Sequence, residues 1–399
     1  MIIELTNEFK EAIPVLNCLE NHGYQAYFVG GSVRDAILRR PIHDVDITTD
    51  ALPNEMKRIF KTADNYAGEK HGTDLVFLNG KKYEVTTFRI DGKYLDNRHP
   101  KNVSFTKNLK EDLSRRDFTI NAFAMNQEGE LFDYFSGLND LKKKIIRTVG
   151  DAKQRFSEDA LRILRAFRFS SQLDFKIEEE TLRASQMIKE NLNDIATERI
   201  FVEFSKLLAG KNPQRSLRQM YDLGIVDFLP GHELITDQSD LFRNYIGIQS
   251  SSDAINWTRF IFFSNLRESS LTKYLGSWKM SNQLKKQIFK SINLLEKDKP
   301  SKLDLFDAGL EISIALSAIK RDDRNNLLSD YENLAIHDLS ELDINGIDLK
   351  NIGIPVGPIY GKIIEDLKEK VILGKINNNK QRLLKEAKDD YINMGTIKK

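Results

Sequence analysis

The sequence predicts an α+β protein in which a mixed N-terminal region is followed by an almost entirely helical remainder. Helical patterns alternate with short β-rich runs up to about residue 138, and beyond it apolar residues recur at three-four spacing, as in amphipathic helices. The chain of 399 residues is too long for one ordinary core, because domains commonly hold about 100 to 200 residues. We therefore expect four segments, over 1–138, 139–210, 211–299 and 300–399, with turn-forming residues near the later boundaries.

The N-terminal region opens with elements that the residue pattern defines well. A helix over 8–21, with Pro14 at a point where it could break, precedes a strand over 25–29. A Gly-Gly turn and a short helix over 33–39 follow. Further on, "DLVFLNGKKYEVTTFRI" places two β-rich runs around Asn79-Gly80, which is a strong hairpin signal. This region is therefore predicted to be α/β or α+β.

The composition argues against a membrane protein and favours the cytoplasm. Hydrophobic residues make up 40% of the chain and charged residues 30%, and no uninterrupted apolar run approaches the roughly 18 residues of a membrane span. The first segment, "MIIELTNEFKEAIPVL", carries acidic residues where a secretory signal carries basic ones. The single cysteine, Cys18, cannot form an internal disulfide, so a reducing, cytoplasmic environment is expected.

The charge of the chain is balanced overall but uneven along its length. Sixty basic residues against 59 acidic ones give a net charge of +1, which argues against binding to nucleic acid through global charge. Between Asn139 and Ser170, however, nine lysines and arginines stand against four acidic residues. A polyanion could bind to this stretch.

Two aspartates one residue apart stand in "HDVDITTD", residues 43–50. In a strand, Val45 and Ile47 would face one side and Asp44 and Asp46 the other, so two like charges would meet. One interpretation is a solvated strand end. The other is a pair of ligands for a divalent cation, which converts the repulsion into coordination.

The segment "YFVGGSVRD" precedes these aspartates and suits the binding of phosphate. Gly30 and Gly31 lack a Cβ atom and stand before a predicted helix, so backbone N–H groups can approach an anion, while Arg34 can add a charged contact. A Gly-Gly pair alone is equally typical of a tight turn. The order of glycine turn, helix and paired carboxylates predicts a nucleoside triphosphate bound through Mg²⁺. Glu84 is a candidate third ligand, or else a solvated strand charge.

Together with four further motifs, these two segments resemble a known family. "GGSVRD" and "HDVDITT" are followed by "SRRDFTINAFAM" (114–125), "DYFSGLNDLKKKIIRTVG" (133–150), "FSEDALRILRAFRF" (156–169) and "TERIFVEFSKLL" (197–208). Similar motifs occur in this order in the class II tRNA nucleotidyltransferases of bacterial type, the CCA-adding enzymes. The resemblance covers roughly the first half of the chain. It implies a nucleotidyltransferase head of the polymerase β type, followed by an all-helical neck, body and tail.

The resemblance also implies roles for individual residues. Asp44 and Asp46 would be the catalytic carboxylates that bind Mg²⁺, and Arg116 would hold the bound nucleotide. Asp117 would lie near the ribose, where a carboxylate can require a 2′-hydroxyl. Without the family match, the Arg-Arg-Asp run is more typical of a surface ion pair.

The segment "SEDALRILRAFRF" combines acidic and basic residues at helical spacing. Ser157 is expected to cap a helix whose acidic first turn includes Asp159. Arginines recur every third residue after it, at Arg162, Arg165 and Arg168. On a solvated face, Asp159 and Arg162 would form an ordinary salt bridge. In the family, the matching Asp and Arg act as a protein template for the incoming base, and the later arginines contact nucleotide or RNA phosphate.

A carboxylate beside a guanidinium could select bases without a nucleic-acid template. Asp159 only accepts hydrogen bonds and Arg162 only donates them. Cytosine and adenine each present an amino donor beside a ring-nitrogen acceptor, whereas uracil and guanine present the reverse order. One such pair would admit CTP and ATP and reject UTP and GTP, because each mispaired buried polar group costs about 1 to 3 kcal/mol.

The expected function is the addition of C, C and A to the 3′ end of tRNA from CTP and ATP, with release of pyrophosphate. A poly(A) polymerase would share the head, but the long basic extension expected of an enzyme holding arbitrary RNA is not seen. A CC-only enzyme would lack a full loop at 91–103, "DGKYLDNRHPKNV", which is present here. Intact Asp44 and Asp46 argue against a non-catalytic RNA-binding protein.

The C-terminal helices are expected to include the tRNA-binding tail. "SWKMSNQLKKQIFK" brings four lysines near Trp278, which suits an RNA backbone, although a solvated basic helix face is equally typical. These lysines are Lys279, Lys285, Lys286 and Lys290. The resemblance further implies tRNA, CTP and ATP as partners and a homodimer as the assembly.

Overall fold

The computed structural model describes residues 1–63, 72–92, 103–235, 250–264, 266, 268–297, 299–320 and 324–396. Two compact units are present: Met1–Thr236 with Arg267–Lys279, and Asp237–Leu266 with Met280–Lys399. We refer to them as the N-terminal unit and the C-terminal unit. Most of the loop predicted over 91–103, namely residues 93–102, lies outside the described residues.

The first part of the N-terminal unit contains the described strands of the main sheet, and helices dominate after it. In chain order its elements are α1 (Asn7–Asn21), β1 (Ala26–Val29), α2 (Gly31–Ile37), β2 (Asp46–Thr49), α3 (Pro53–Ile59), β3 (Lys61–Thr62), β4 (Thr73–Leu78), β5 (Lys81–Thr87), β6 (Arg89–Asp91), β7 (Val103–Phe105), α4 (Leu109–Ser114), β8 (Phe123–Met125), β9 (Leu131–Asp133), α5 (Gly137–Lys143), β10 (Ile145–Ile146), α6 (Ala152–Glu158), α7 (Leu161–Leu173), β11 (Lys176–Ile177), α8 (Glu179–Ile188), α9 (Thr197–Leu208) and α10 (Pro213–Asp222).

The later elements that the structure describes are all helical. They are α11 (Asp253–Phe263), α12 (Glu268–Ser277), α13 (Asn282–Glu296), α14 (Lys302–Lys320), α15 (Arg324–Glu332), α16 (Gly346–Asn351), α17 (Ile359–Ile372) and α18 (Lys380–Thr396). Of these, α12 belongs to the N-terminal unit. Among the described elements beyond residue 138, only the two-residue strands β10 and β11 are not helical, so the predicted α+β class is confirmed. The four-segment division stays a prediction.

A seven-stranded mixed sheet in the order β3-β4-β5-β2-β1-β8-β9 positions the site. β1 runs antiparallel to β2 and β8, whereas β2 runs parallel to β5. Phe28 on β1 contacts Phe9 of α1, with ring centroids 4.8 Å apart, so α1 covers one face. The next residue, Val29, packs with Phe88 and Leu113 on the other face, where α4 lies. Asp46 pairs with Val29 and therefore belongs to the α4 face.

Two local predictions for this region, the hairpin and the first helix, can be compared directly with the structure. The hairpin at Asn79-Gly80 is confirmed, and both residues are left-handed, with φ of 51° and 75°, as a tight hairpin turn requires. The predicted first helix is confirmed, and the possible break at Pro14 does not occur: α1 continues through Pro14, with Val15 and Leu16 buried directly after it.

The predicted strand over 43–50 is too long. β2 begins only at Asp46, because its partner β1 ends at Val29 and the chain then turns at Gly30. Asp44 consequently precedes the strand rather than lying within it. The strict alternation expected for the two aspartates therefore does not apply to both of them.

Helix α7 is held closely by its helical neighbours. The Ser171 hydroxyl of α7 donates to the Leu207 carbonyl of α9, and the Ser216 hydroxyl of α10 donates to the Phe167 carbonyl of α7. A Cβ atom on Gly210 would lie only 2.1 Å from the Ser171 hydroxyl. These small residues fix α7 and α9 against each other, which matters because both helices carry residues of the site.

Trp278 is part of this helical core and not of an RNA-binding face. Its side chain is fully buried and stacks on Phe204 of α9, with ring centroids 4.9 Å apart. Trp278 is therefore not available to contact RNA beside the lysines. Lys286 and Lys290 of α13 are exposed, as a basic helix face requires.

The C-terminal unit has a core of its own. Leu349, Ile363, Leu367, Val371 and Leu383 are completely buried within one apolar cluster. At the edge of this cluster, Lys370 of α17 contacts three carboxylates. Asp366 belongs to α17, whereas Glu386 and Asp390 belong to α18, so these contacts link the two helices. No helix among the described residues is long and apolar enough to cross a lipid bilayer.

Gly137 provides a test of packing around the sheet. It begins α5, and a Cβ atom there would lie 2.4 Å from the Thr119 carbonyl oxygen and 2.7 Å from the Phe123 ring. We expect Gly137→Ala to destabilise the N-terminal unit by about 1 to 3 kcal/mol, because buried backbone cannot move aside cheaply. Urea unfolding followed by circular dichroism measures this change.

The matched control is Gly276→Ala in α12. A Cβ atom at Gly276 meets nothing within 4 Å, and alanine favours helix, so this change should be neutral or stabilising by up to about 1 kcal/mol. Equal destabilisation by the two substitutions would contradict the packing described for Gly137.

Candidate active site

A cleft of about 450 Å³ in the N-terminal unit brings together residues that are far apart in the sequence. It contains all nine predicted nucleotide-binding residues and one of the two predicted catalytic aspartates, Asp46. Seven arginines and three aspartates line it, so its walls suit a polyphosphate. We call it the arginine cleft; its lining residues are Gly30, Gly31, Arg34, Asp46, Arg115, Arg116, Asp117, Asn121, Asp159, Leu161, Arg162, Arg165, Arg168, Phe169 and Arg199.

A second cleft of about 480 Å³ shares Asp46 with the arginine cleft. We call it the carboxylate cleft, because Asp44, Asp46 and Glu84 all line it. Lys81 and Lys82 contribute positive charge to the same cleft. The second predicted catalytic residue, Asp44, is thus found here rather than in the arginine cleft, and Asp46 is shared by the two.

Asp46, the first residue of β2, lies beside the end of β1. Gly30 follows the strand with φ of 77°, a left-handed conformation that favours glycine. A Cβ atom at Gly30 would lie 3.1 Å from Arg116 Nη1 and 3.6 Å from Asp46 Oδ2. Because Gly30 has no side chain, the Arg116 guanidinium and the Asp46 carboxylate can both approach this point of the backbone.

The carboxylates around Asp46 fit a divalent cation. Ile47 and Val85 are opposite each other in the parallel β2–β5 pair, so Asp46 and Glu84, one residue earlier, share the other face. Burial raises the pKa of the Asp46 carboxyl; Arg116 lowers it, while Glu84 and Asp44 raise it. A cation would relieve the repulsion among these carboxylates.

The structure does not provide a complete metal site in advance. Among the described residues, no three His, Cys, Asp or Glu side chains lie close enough together to hold a metal ion. Asp44 lies in the segment before β2, so its position depends on that segment and not on the sheet. Glu84 as a third ligand stays a prediction.

Arg34 and Asn121 link α2 to the turn that follows α4. The Arg34 guanidinium donates to both oxygens of Asp35, at 3.0 and 2.8 Å, and to the Asn121 side-chain oxygen at 2.6 Å. Asn121 in turn donates to Asp117 Oδ1 at 3.0 Å. The orientation of Arg34 in the cleft is therefore fixed by three hydrogen bonds to two residues before any ligand binds.

Asp117 accepts hydrogen bonds from three different residues. Its Oδ1 accepts from the Phe118 backbone and from Asn121, and its Oδ2 accepts from the Arg165 guanidinium at 2.8 Å. Burial raises its pKa, but Arg165, Asn121 and Arg162 lower it, and the pKa is about 2. Asp117 is therefore ionised at neutral pH.

The two later arginines of α7 share one carboxylate. Glu203 of α9 is buried, and its Oε2 lies 2.6 Å from Arg168 Nε, while its Oε1 lies 3.6 Å from Arg165 Nη1. The Arg168 guanidinium also lies over the Phe169 ring, 3.9 Å from its centroid. Burial lowers the pKa of Arg168 to about 10, so it keeps its charge at neutral pH.

The predicted helix start at Ser157 is wrong. Ser157 lies inside α6, which ends at Glu158, and α7 begins separately at Leu161. Asp159 sits at the break between the two helices in an extended conformation, with φ of −141° and ψ of 102°. The break occurs because Asp159 Oδ1 accepts the Leu161 backbone N–H and thereby starts a new helix.

The break also changes the partners of Asp159 and Arg162. Arg199 Nη2 of α9 lies 2.9 Å from Asp159 Oδ2, and Glu158 Oε2 lies 2.7 Å from Arg162 Nη1. Arg162 further donates to the backbone carbonyls of Arg155 and Arg115. The ordinary Asp159–Arg162 salt bridge considered from the sequence is thus replaced by two separate ion pairs, although both residues line the same cleft.

Five lining residues were not singled out from the sequence. They are Arg115, Asn121, Leu161, Phe169 and Arg199. All five lie inside segments that carry the family resemblance, but each of those segments also contains residues that do not line the cleft. Only the packing of α7 on α9 and on the turn after α4 distinguishes them.

Three family models match successive parts of the chain. A model described as the poly A polymerase head domain matches residues 26–147. A probable RNA and SrmB-binding site of polymerase A matches residues 174–235, and a putative tRNA nucleotidyltransferase domain 2 matches residues 248–387. The first match covers β1, together with β2, which carries Asp46, and β5, which carries Glu84.

Relatives of known identity match the chain along its length. It is 41% identical to the CCA-adding enzyme of Ligilactobacillus salivarius, over 97% of this chain and 98% of the relative. It is 42% identical to that of Pediococcus pentosaceus, over 97% of this chain and 100% of the relative. The Bacillus stearothermophilus CCA-adding enzyme, solved in complex with CTP, is 34% identical, with a TM-score of 0.78 over 98% of this chain and 100% of that one. This chain belongs to the family of CCA-adding enzymes, the tRNA nucleotidyltransferases.

Proposed function

We propose that this protein completes tRNA by adding C, C and A to its 3′ end from CTP and ATP, releasing one pyrophosphate at each addition. The observation that carries the proposal is the arginine cleft, in which Asp46, Asp159 and seven arginines, Arg162 among them, line one space. The relatives that match nearly the whole chain at 41% and 42% identity are CCA-adding enzymes, so poly(A) polymerase and CC-only addition are not favoured.

The two clefts that share Asp46 suggest where each substrate binds. We assign the triphosphate to the arginine cleft, where Arg34 and Arg116 approach Gly30 and Gly31. We assign the tRNA 3′ end to the carboxylate cleft, so that its terminal hydroxyl faces the α-phosphate across Asp46. In-line attack requires the nucleophile and the leaving pyrophosphate to lie on opposite sides, which this arrangement permits.

Asp44 and Asp46 are the residues that would hold Mg²⁺, with Glu84 as a further candidate. Bound Mg²⁺ would make the tRNA hydroxyl more acidic and neutralise charge on the leaving pyrophosphate. The protein's own contribution is to keep carboxylates on the shared face of β2 and β5 and to order the arginines that orient the triphosphate. The identity of the cation as Mg²⁺ rests on its preference for carboxylate and phosphate oxygens.

Asp159 and Arg162 retain the hydrogen-bonding capacity that base selection needs. The contacts of Arg162 use three of its five N–H groups, which leaves two for a base. Asp159 Oδ2 accepts from Arg199 and has a second lone pair to accept a base amino group. We therefore assign to these residues the selection of cytosine and adenine over uracil and guanine.

The assignment of Asp117 to the ribose requires a rearrangement. Its two oxygens accept from Phe118, Asn121 and Arg165, and the two Arg165 contacts bring the total to four, which is the capacity of a carboxylate. A ribose 2′-hydroxyl would have to replace one of these contacts. Arg165 is the one able to leave, because Glu203 lies beside it and can accept the released guanidinium.

The assembly and the outer tRNA contacts rest on the family resemblance. We propose a homodimer, and we propose that exposed lysines of the C-terminal unit, such as Lys286 and Lys290, face the tRNA backbone. Light scattering during gel filtration should give twice the monomer mass. A monomer mass at every concentration would rule out the dimer.

The catalytic assignment predicts a sharp loss of activity in two variants. With a tRNA lacking its 3′ tail, the wild-type protein should incorporate two C from CTP alone and one further A once ATP is added. Asp44→Asn and Asp46→Asn should each lower kcat at least about a thousandfold, because the cation loses a charged ligand. Incorporation of labelled nucleotide measures this effect.

Asp50→Asn is the matched control for these variants. Asp50 directly follows β2, but its side chain caps the backbone of Gln25 and does not line either cleft. This control should keep most of the wild-type activity. Retained activity in Asp46→Asn would refute the metal assignment, and absence of CMP incorporation by the wild type would refute the function itself.

The low pKa of Asp117 predicts a pH-dependent contribution to the stability of the fold. Its pKa is about 2 in the folded protein, compared with about 3.9 in an unfolded chain, so folding is favoured while it is ionised. The stabilisation is fully present above the unfolded value and is lost as the pH falls towards 2. We expect the stability gap between wild type and Asp117→Asn to shrink by about 2 kcal/mol between pH 5 and pH 2.

Denaturant unfolding of the N-terminal unit at several pH values measures this gap. Asp133→Asn is a suitable comparison, because Asp133 caps α5 by accepting from the Gly137 and Leu138 backbone without an arginine partner. A gap for Asp117→Asn that does not change with pH would contradict the Arg165 contact as the source of the stabilisation.

A further inference from the structure

The partners of Asp159 raise a question that base selection alone does not answer. Asp159 and Arg162 carry opposite charges, line the same cleft and are three residues apart in the chain. Left to themselves, such side chains would pair with each other and present little to a base. The structure instead shows each one bound to a third group, namely Arg199 for Asp159 and Glu158 for Arg162.

Arg199 approaches Asp159 from a different and rigid element. It lies in the first turns of α9, and its Nη2 is 2.9 Å from Asp159 Oδ2 while its Nη1 is 3.5 Å from Oδ1. The Leu161 backbone N–H binds Oδ1 from the start of α7. The plane of the carboxylate is thus held from two helices at once.

The position of α9 relative to α7 is itself well determined. Ser171 binds the Leu207 carbonyl, and Glu203 of α9 binds Arg168 of α7 at 2.6 Å. Arg199 is four residues before Glu203 and therefore on the same side of α9. Contacts to α7 thus fix the middle and the C-terminal part of α9, the helix from which Arg199 extends.

We propose that Arg199 is a specificity-determining positioning residue, which holds the Asp159 carboxylate apart from Arg162 so that both remain available to the incoming base. The inference rests on the proposed role of Asp159 and Arg162 in base selection. Without Arg199, the carboxylate turns towards Arg162 or rotates freely. The acceptor that reads the amino group of cytosine or adenine is then lost, and discrimination against uracil falls.

An alternative role for Arg199 is a direct contact with the triphosphate. That role would weaken the binding of every nucleotide to a similar degree, since all four share the same phosphates. The proposed role changes the ratio between nucleotides instead. Measuring both the binding of each nucleotide and the ratio between nucleotides therefore separates a positioning residue from a simple phosphate contact.

The experiment compares kcat/KM for CTP and UTP on a tRNA that lacks its tail. We expect the CTP-to-UTP ratio to fall about tenfold in Arg199→Gln, because the acceptor is no longer oriented. Arg199→Lys keeps the charge but not the two-nitrogen fork, so its ratio should lie between those of wild type and Arg199→Gln. Arg199→Lys also decides the matter if Arg199→Gln does not fold, as judged by thermal unfolding.

A double substitution tests whether Arg199 acts through Asp159. Asp159→Asn alone should lower the ratio, because an amide can donate to the uracil carbonyl. If Arg199 acts through this carboxylate, Arg199→Gln should cause no further loss in the Asp159→Asn background. Additive losses, or an unchanged ratio with a raised KM for all nucleotides, would overturn the proposal.

The controls separate this inference from the function on which it rests. Arg183→Gln removes an exposed i,i+4 ion pair with Glu179 on α8 and should leave the ratio unchanged. If Asp159→Asn lowers the ratio but neither Arg199 variant does, base selection stands and the role of Arg199 is wrong. If the wild type adds neither C nor A, the proposed function itself is wrong.

Discussion

The arginine cleft depends on buried carboxylates that lie between its guanidinium groups. Asp112 is completely buried and holds Arg115 at 2.8 Å and Arg116 at 3.6 Å. Asp117 and Glu203 do the same for Arg165 and Arg168, respectively. So many cations at close range would otherwise repel one another and leave the cleft without order. Because the carboxylates come from α4, its following turn and α9, these four arginines are each held beside a carboxylate before a polyanion binds.

The sheet contributes a second constraint, which concerns negative charge. The parallel pairing of β2 with β5 places Asp46 and Glu84 on one face, and β1 ends beside them in a left-handed glycine. Burial and neighbouring carboxylates raise the pKa of Asp46, so this point of the protein is under electrostatic strain that a divalent cation would remove. The Arg116 guanidinium and the Asp46 carboxylate thus both lie beside Gly30, where no side chain separates them.

The interruption between α6 and α7 has a chemical consequence. A continuous helix would have placed Asp159 one turn from Arg162, with the two charges neutralising each other. The break at Asp159 instead directs its carboxylate towards Arg199, while Glu158, at the end of α6, takes Arg162. Two ion pairs replace one, and both selecting groups keep unused hydrogen-bonding positions.

The sequence by itself determined the class of the fold, the hairpin at Asn79-Gly80 and most of the residues that line the arginine cleft, because glycine turns, paired aspartates and periodic arginines express local chemistry. It did not determine where β2 begins, since that depends on where the partner strand β1 ends. It also misplaced the helix start at Ser157 and the partner of Asp159. The partner of Asp159 depends on a segment 40 residues away and that of Asp117 on one 48 residues away, and local patterns carry no record of which distant charge will come within reach.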